Sequence, residues 1–243
     1  MKSSLNSLKQ YFPSSTILLS DIVYPYRPDI LLRIDFLEWF EQNKAKYFNN
    51  DKTKFTYADI VDNKDFFIES MGHPFFLQFT RKRKYRRLNL SYKDSQKIYA
   101  RGIVLFLNLL FSLKTNGFDI NEKIGLYSSF IILKPRYGEK MKRMVYMGDG
   151  CHRLACYAWL NKKNELPMEI FNTQLKLLYR PVNSFDFFTR LNIFDPNDEK
   201  AFYDLFSIPE KLEFYKILEW TEKIRIKFRK QNITKLFDIK FSY

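Results

Sequence analysis

Apolar residues recur at helical spacing along much of this chain, and short β-prone runs interrupt them. Leu32, Phe36, Trp39 and Phe40 share one helical face, widened by Leu37, which predicts a helix over about 30–47 with Asp29 as its cap. Before it, residues 14–29 read as irregular with a short strand: Thr16 to Val23 is apolar-rich, and Pro25 and Pro28 stop regular pairing. Tyr57, Ile60, Val61, Phe66, Phe67 and Ile68 predict a helix over 57–71, ended by Gly72-His73-Pro74. The longest predicted buried helix covers 92–115, with Ile98, Val104, Leu105, Leu107, Leu109, Leu110 and Leu113, and Asn116-Gly117 stops it.

Two β-prone runs follow, at about 123–134 and 143–148. The turn Arg136-Tyr137-Gly138-Glu139 lies between them, and together they read as a hairpin. A helix then runs to about Leu160, Asn161 to Glu165 form a polar turn, and Met168 to Leu178 read as a strand. Beyond Pro181 the pattern is helical over 184–192, 197–207 and 209–230, with Asp195-Pro196 and Pro209 marking starts. The fold class expected is α+β. It divides into an N-terminal helical or irregular extension (1–91), a central α/β core (92–181) and a C-terminal helical extension (182–243).

Charge changes the picture more than length does. Forty-one basic residues against 27 acidic ones give a formal charge of +14. That surplus favours an anionic partner: nucleic acid, an acidic membrane surface or a phosphorylated small molecule. Arg81, Lys82, Arg83, Lys84, Arg86 and Arg87 concentrate it and form a candidate anion or nucleic-acid patch. The 25 Phe and 16 Tyr read equally well as a compositional habit and as a functional feature. The two cysteines, Cys151 and Cys156, stand five positions apart. On a helix that is roughly 140° of rotation, so they face different ways. With no disulfide framework, a reducing, cytoplasmic setting is expected. No signal-peptide pattern precedes Pro13, and the apolar run Ile103 to Phe111 is too short to span a bilayer and is broken by Asn108. The chain is therefore expected to be soluble, with membrane contact at most peripheral.

The densest chemistry lies in Gly148-Asp149-Gly150-Cys151-His152-Arg153, where a strand gives way to a helix. The glycines permit a tight turn and close backbone approach. The amides after Gly150 lack intrahelical acceptors and can donate to phosphate oxygens. Arg153 offers a planar fork for phosphate. His152 can donate a hydrogen bond or move a proton near neutral pH. Asp149 can cap the helix, hold Mg²⁺ or activate a hydroxyl. The other histidine, His73, reads first as structural. Two His and two Cys make no zinc site, and neither a P-loop nor GxGxxG occurs.

Gly148 to Ala155, with the upstream helix reaching Ser112-Leu113, then Asn116-Gly117-Phe118 and a strand, resembles the ParB/sulfiredoxin superfamily over about residues 95–178. The resemblance implies a small mixed sheet with helices, and a nucleotide whose phosphates sit on this turn. It implies nucleotide contacts from Gly148, Gly150, Cys151, His152 and Arg153, and from Ser112 and Lys114 at the helix end. Tyr99 and Arg101 are weaker candidates. Known members differ in chemistry. Sulfiredoxins use ATP and a cysteine in a Gly-Cys-His-Arg turn to repair oxidised peroxiredoxins. Free-serine kinases use Asp-Gly-His-His-Arg, and ParB partition proteins bind CTP and carry a helix-turn-helix downstream.

This chain matches the sulfiredoxin turn at Gly150 to Arg153, yet Asp149 gives it the kinase-like form Asp-Gly-x-His-Arg. The chain is also much longer than a sulfiredoxin. The leading expectation is a phosphotransferase using ATP or another nucleotide. Asp149, His152 and Cys151 are its candidate catalytic residues, and Asp149 its candidate Mg²⁺ ligand. The acceptor expected from charge is an anionic small molecule or glycan precursor. The alternatives are a nucleotide-gated or nonspecific nucleic-acid binder, and a sulfiredoxin-like enzyme with Cys151 as nucleophile.

Overall fold

The computed structural model describes residues 15–23, 27–76, 92–129, 144–147, 149–175, 188–189, 194–206 and 212–230. The basic run 81–87, the turn 136–139, Gly148, Pro209 and most of the helix expected at 184–192 lie outside the described residues. The described chain mixes helix and strand in an α+β arrangement. In chain order it runs β1 (Thr16–Leu18), α1 (Leu19–Val23), α2 (Pro28–Tyr47), α3 (Tyr57–Val61), α4 (Lys64–Met71), a 3₁₀ turn (Pro74–Phe76) and α5 (Tyr92–Asn116). It continues β2 (Ile124–Ser129), β3 (Met144–Met147), α6 (Cys151–Asn161), β4 (Glu165–Pro167), a 3₁₀ turn (Met168–Ile170), β5 (Phe171–Leu175), α7 (Pro196–Leu205) and α8 (Phe214–Lys230).

The larger sheet has the order β3-β2-β5 and is mixed. β2 pairs antiparallel with β3, Leu126 facing Met147, and parallel with β5, Ile124 facing Phe171. The parallel pairing forces a crossover, and α6 lies within it. A second ribbon pairs β1 antiparallel with β4, Ile17 opposite Leu166.

Helix α2 is the centre of the molecule. Ile30, Leu31, Leu32, Ile34, Phe36 and Leu37 are wholly buried around its circumference, so its first three turns are enclosed on all sides, while Glu41, Gln42, Ala45 and Lys46 near its end are exposed. It packs against α6, α8 and the first 3₁₀ turn. Residues from all three expected segments, from Ile17 to Phe228, meet in one continuous hydrophobic core. Asp29 is not the cap of α2. Arg27 takes that place, Pro28 opens the first turn, and Asp29 lies inside it. The reason is electrostatic: Asp29 is held by two arginines, described below.

The helix expected over 57–71 is two helices. Asn63 accepts the Phe66 amide and donates to the Tyr47 carbonyl, so a new N-terminus forms in mid-pattern. A capping box from Thr56 and Asp59 starts the first of the two. The strand expected from Met168 begins only at Phe171. Pro167 ends β4, and Met168–Ile170 make a 3₁₀ turn before β5. Within the segment expected to be irregular, Leu19–Val23 is helical.

Helix α5 buries Tyr99, Ile103, Phe106, Leu107, Leu110 and Phe111 and leaves Leu105 72% exposed. Its Lys97–Asn116 stretch has a mean hydropathy of 1.4 over its most apolar window. By length and composition alone this stretch is apolar enough to cross a membrane, although Arg101 and Lys114 lie within it; 39% of its most apolar window is buried, and a buried core helix meets the same criterion. Gly117, at φ 75°, ends it in the left-handed conformation that favours glycine.

Candidate functional site

The turn after β3 is built by one glycine. Gly150 caps α6 with φ 87°, and a Cβ there would meet Ile124 Cγ2 at 3.2 Å. Both the backbone angle and the close approach of β2 therefore select glycine. The first intrahelical bond runs from the Leu154 amide to the Gly150 carbonyl at 2.8 Å. The amides of Cys151, His152 and Arg153 precede it and have no acceptor within the helix. Asp149 is exposed, and its Oδ1 accepts the Gly150 amide at 2.7 Å.

A buried charged group braces this turn from α2. Arg27 donates through Nε and Nη2 to both Asp29 carboxylate oxygens, at 2.8 and 3.0 Å. Its Nη1 donates to the Met147 carbonyl at 3.2 Å, and its Nη2 lies 2.9 Å from Cys151 Sγ. Arg33 reaches Asp29 Oδ2 at 2.7 Å and the Asp29 carbonyl at 2.8 Å. All three side chains are buried. Burial alone would favour loss of the Arg27 proton, but the Asp29 carboxylate and the Cys151 sulfur more than offset it. The Arg27 pKa is raised above its ordinary value.

The same helix pair is tied again at its far end, where Trp159 Nε1 and Lys162 Nζ donate to Glu38 Oε2 at 2.8 and 2.5 Å. Helices α2 and α6 therefore run side by side in the same direction, with their N-termini adjacent. Two positive dipole ends meet there, and Asp29 in the first turn of α2 compensates them.

His152 and Arg153 point to different surroundings. The His152 imidazole packs on Phe106 at 4.7 Å between ring centres and on Phe75 at 6.1 Å, edge to face, and its Nδ1 is buried. Arg153 donates to the Glu122 carbonyl and lies 3.5 Å from Glu122 Oε2. It borders a groove of about 580 Å³ with Leu109, Ser112, Leu113, Phe118 and Asp119. That volume is in the range of small-molecule sites. Of the two residues expected at the end of α5, Ser112 lines this groove, while Lys114 instead pairs with Glu41 of α2 at 3.2 Å.

Asp149, Gly150, Cys151, His152 and Arg153 thus share one turn, and Ser112 joins Arg153 across the groove. Tyr99 is buried in the core, and Arg101 is exposed on α5. Cys151 and Cys156 are both free thiols. Cys156 is buried, which pushes its pKa up. Among the described residues no group of three His, Cys, Asp or Glu side chains could hold a metal ion. Sequence reasoning missed Arg27, Asp29 and Arg33. The available signal was the placing of Asp29, Arg33 and Asp35 among apolar residues of the 28–40 helix, where a charge demands a buried partner. Comparison of the chain with protein-family models, with curated proteins and with solved structures returned no match.

Proposed function

We propose that this protein is a nucleotide-dependent phosphotransferase of the ParB/sulfiredoxin fold, with the phosphates seated on the turn Asp149–Arg153. The observation that carries the reading is the left-handed Gly150 cap, which turns the chain sharply from β3 into α6 so that the first-turn amides of the helix open onto the turn beside Arg153. Those donors, at the paired N-termini of α2 and α6, suit an anion. Arg153 adds a cation at the edge of the groove, and Ser112 a hydroxyl across it.

In this reading the amides of Cys151, His152 and Arg153 hold the phosphate oxygens, and the Arg153 guanidinium neutralises charge as it develops. The acceptor hydroxyl oxygen bonds to the terminal phosphorus as the bridging P–O bond breaks, and the nucleoside diphosphate leaves. Asp149, exposed beside the seat, takes or orients the hydroxyl proton. It is also the one carboxylate of the turn that could share Mg²⁺ with the phosphates, which commonly need only one or two protein carboxylates for that ion. The net charge of +14 favours an anionic acceptor, such as a phosphorylated small molecule or glycan precursor.

Isothermal calorimetry with ATP, ADP, CTP and GTP, each with and without Mg²⁺, tests the seat. Arg153→Ala is expected to weaken the nucleotide that binds by at least about tenfold, the worth of one charge-assisted hydrogen bond. Unchanged affinity would exclude the assignment.

One observation favours a second reading, thiol chemistry at Cys151. Its Sγ accepts from the buried Arg27 Nη2 at 2.9 Å, at the N-terminus of α6, so a cation faces the sulfur. Phosphoryl transfer is expected to survive Cys151→Ser with kcat reduced less than about tenfold. Thiol chemistry would instead lose all turnover, because a serine hydroxyl is not ionised near neutral pH.

A further inference from the structure

His73 takes no part in the phosphate seat, yet it is fully buried and held on both ring nitrogens. Its Nε2 lies 2.6 Å from Asp35 Oδ2, and its Nδ1 accepts the Phe75 amide at 3.1 Å. A ring nitrogen that accepts carries no proton, so the geometry selects the neutral tautomer that donates from Nε2. Asp35 also accepts from Arg225 Nε at 3.2 Å.

Three elements face this imidazole. Helix α2 supplies the Asp35 carboxylate and the Phe36 and Trp39 rings. Helix α8 supplies the positive charges of Arg225 and Arg229. Helix α4 supplies the Ser70 carbonyl, which accepts the His73 amide, and Glu69, which pairs with Lys46. Burial disfavours the charged ring most, Asp35 opposes that, and the two arginines reinforce it. The His73 pKa is accordingly lowered from its ordinary value of 6.5.

Phe75 joins this cluster to the candidate site. Its ring centre lies 4.7 Å from Phe36, 5.1 Å from Phe106 and 6.1 Å from His152. Both histidines of the chain therefore border one aromatic layer. We propose that the hydrogen bond from the Phe75 amide to His73 Nδ1 is an acid-released latch, which holds Phe75 against His152 and loosens when His73 takes up a proton.

The step is local. A proton on Nδ1 sets two N–H donors against each other, and the bond to Phe75 is lost. The new positive charge sits beside Arg225 and Arg229, away from water. A group with a lowered folded pKa contributes stability that is present above its unfolded value and lost as pH falls. Opening returns the ring to its ordinary value, so opening becomes easier as pH falls below about 6.5, while the closed latch itself takes up the proton only at a lower pH. The latch stands independently of the phosphotransferase reading; its consequence for phosphate binding rests on that reading.

Amide hydrogen exchange followed by NMR tests it without any ligand. After correction for intrinsic rates, opening at the Phe75 amide is expected to rise about tenfold from pH 7.5 to 5.5 in the wild type. In His73→Gln it should stay flat across that range. A flat wild-type response, or an equal rise in the variant, would overturn the latch. The ring itself gives a test that needs no variant. ¹⁵N shifts at pH 7.5 should show a bare Nδ1 on His73, and a proton there would overturn the proposal. The His152 ring signal should move with Phe75 opening beyond the titration it shows in His73→Gln. A His152 signal that does not would break the link to the seat.

Discussion

Asp29→Ala is expected to lower the stability of this protein by about 3–5 kcal/mol, the range for breaking a buried ion pair from one side. The carboxylate is the shared counter-charge of Arg27 and Arg33, and its side chain is only 7% exposed. Removing it strands two guanidinium groups in the interior, one of them still bonded to the Met147 carbonyl and close to Cys151 Sγ. Urea unfolding reads the loss as a lower midpoint. Combining Asp29→Ala with Arg33→Met should recover part of it, because the second change removes one of the stranded charges. A loss below about 1 kcal/mol in the single variant would mean that water reaches the arginines and that the brace on the turn is weak.

Phe36→Ala carries an expected cost of about 3–5 kcal/mol for a different reason. Phe36 is wholly buried and touches four aromatic neighbours: Phe75 at 4.7 Å, His73 at 5.3 Å, Trp39 at 5.6 Å and Phe106 at 6.1 Å between ring centres. Truncation opens a cavity among rigid rings, which collapse poorly into it. For a chain of this size the midpoint of thermal unfolding should fall by roughly 6–20 °C. A fall of only a degree or two would show that the layer repacks freely, and would also weaken the case that Phe75 transmits anything to His152.

The parts of this molecule legible in the sequence are those held by local rules. Helices α2, α5 and α6 lie within a few residues of their expected limits, because a 3.6-residue apolar period and the Gly117 stop act within each segment. The turn at Gly150 was legible for the same reason: a tight glycine turn into a helix follows from a few consecutive residues. What was not legible depends on distant partners. Arg27 meets Cys151 across 124 residues, and His73 meets Asp35 across 38. No spacing rule couples such positions, so Arg27 was not singled out and Asp29 read as an ordinary cap. The parallel pairing of β2 with β5 is of the same kind, since each strand is short and its partner is chosen by the crossover. The division of 57–71 was missed for a smaller reason: Asn63 caps α4 through its Oδ1 within an apolar pattern that runs on unbroken, and its amide is also held by the distant Tyr47 carbonyl.

The enclosed position of α2 also shapes how the chain reaches its native state on the ribosome. This helix emerges early, yet two of the surfaces that cover it, α6 and α8, are translated much later, α8 ending at Lys230. At typical rates of protein synthesis, roughly 10–40 s pass between completion of α2 and completion of α8. Throughout that interval Leu31, Ile34, Phe36 and Leu37 have no finished core to enter, and Asp29 and Asp35 wait for partners such as Arg225. The order of synthesis thus leaves apolar residues that are wholly buried in the finished protein without their later cover in the nascent one. The cover over it is complete only once α6 and α8 have both been made.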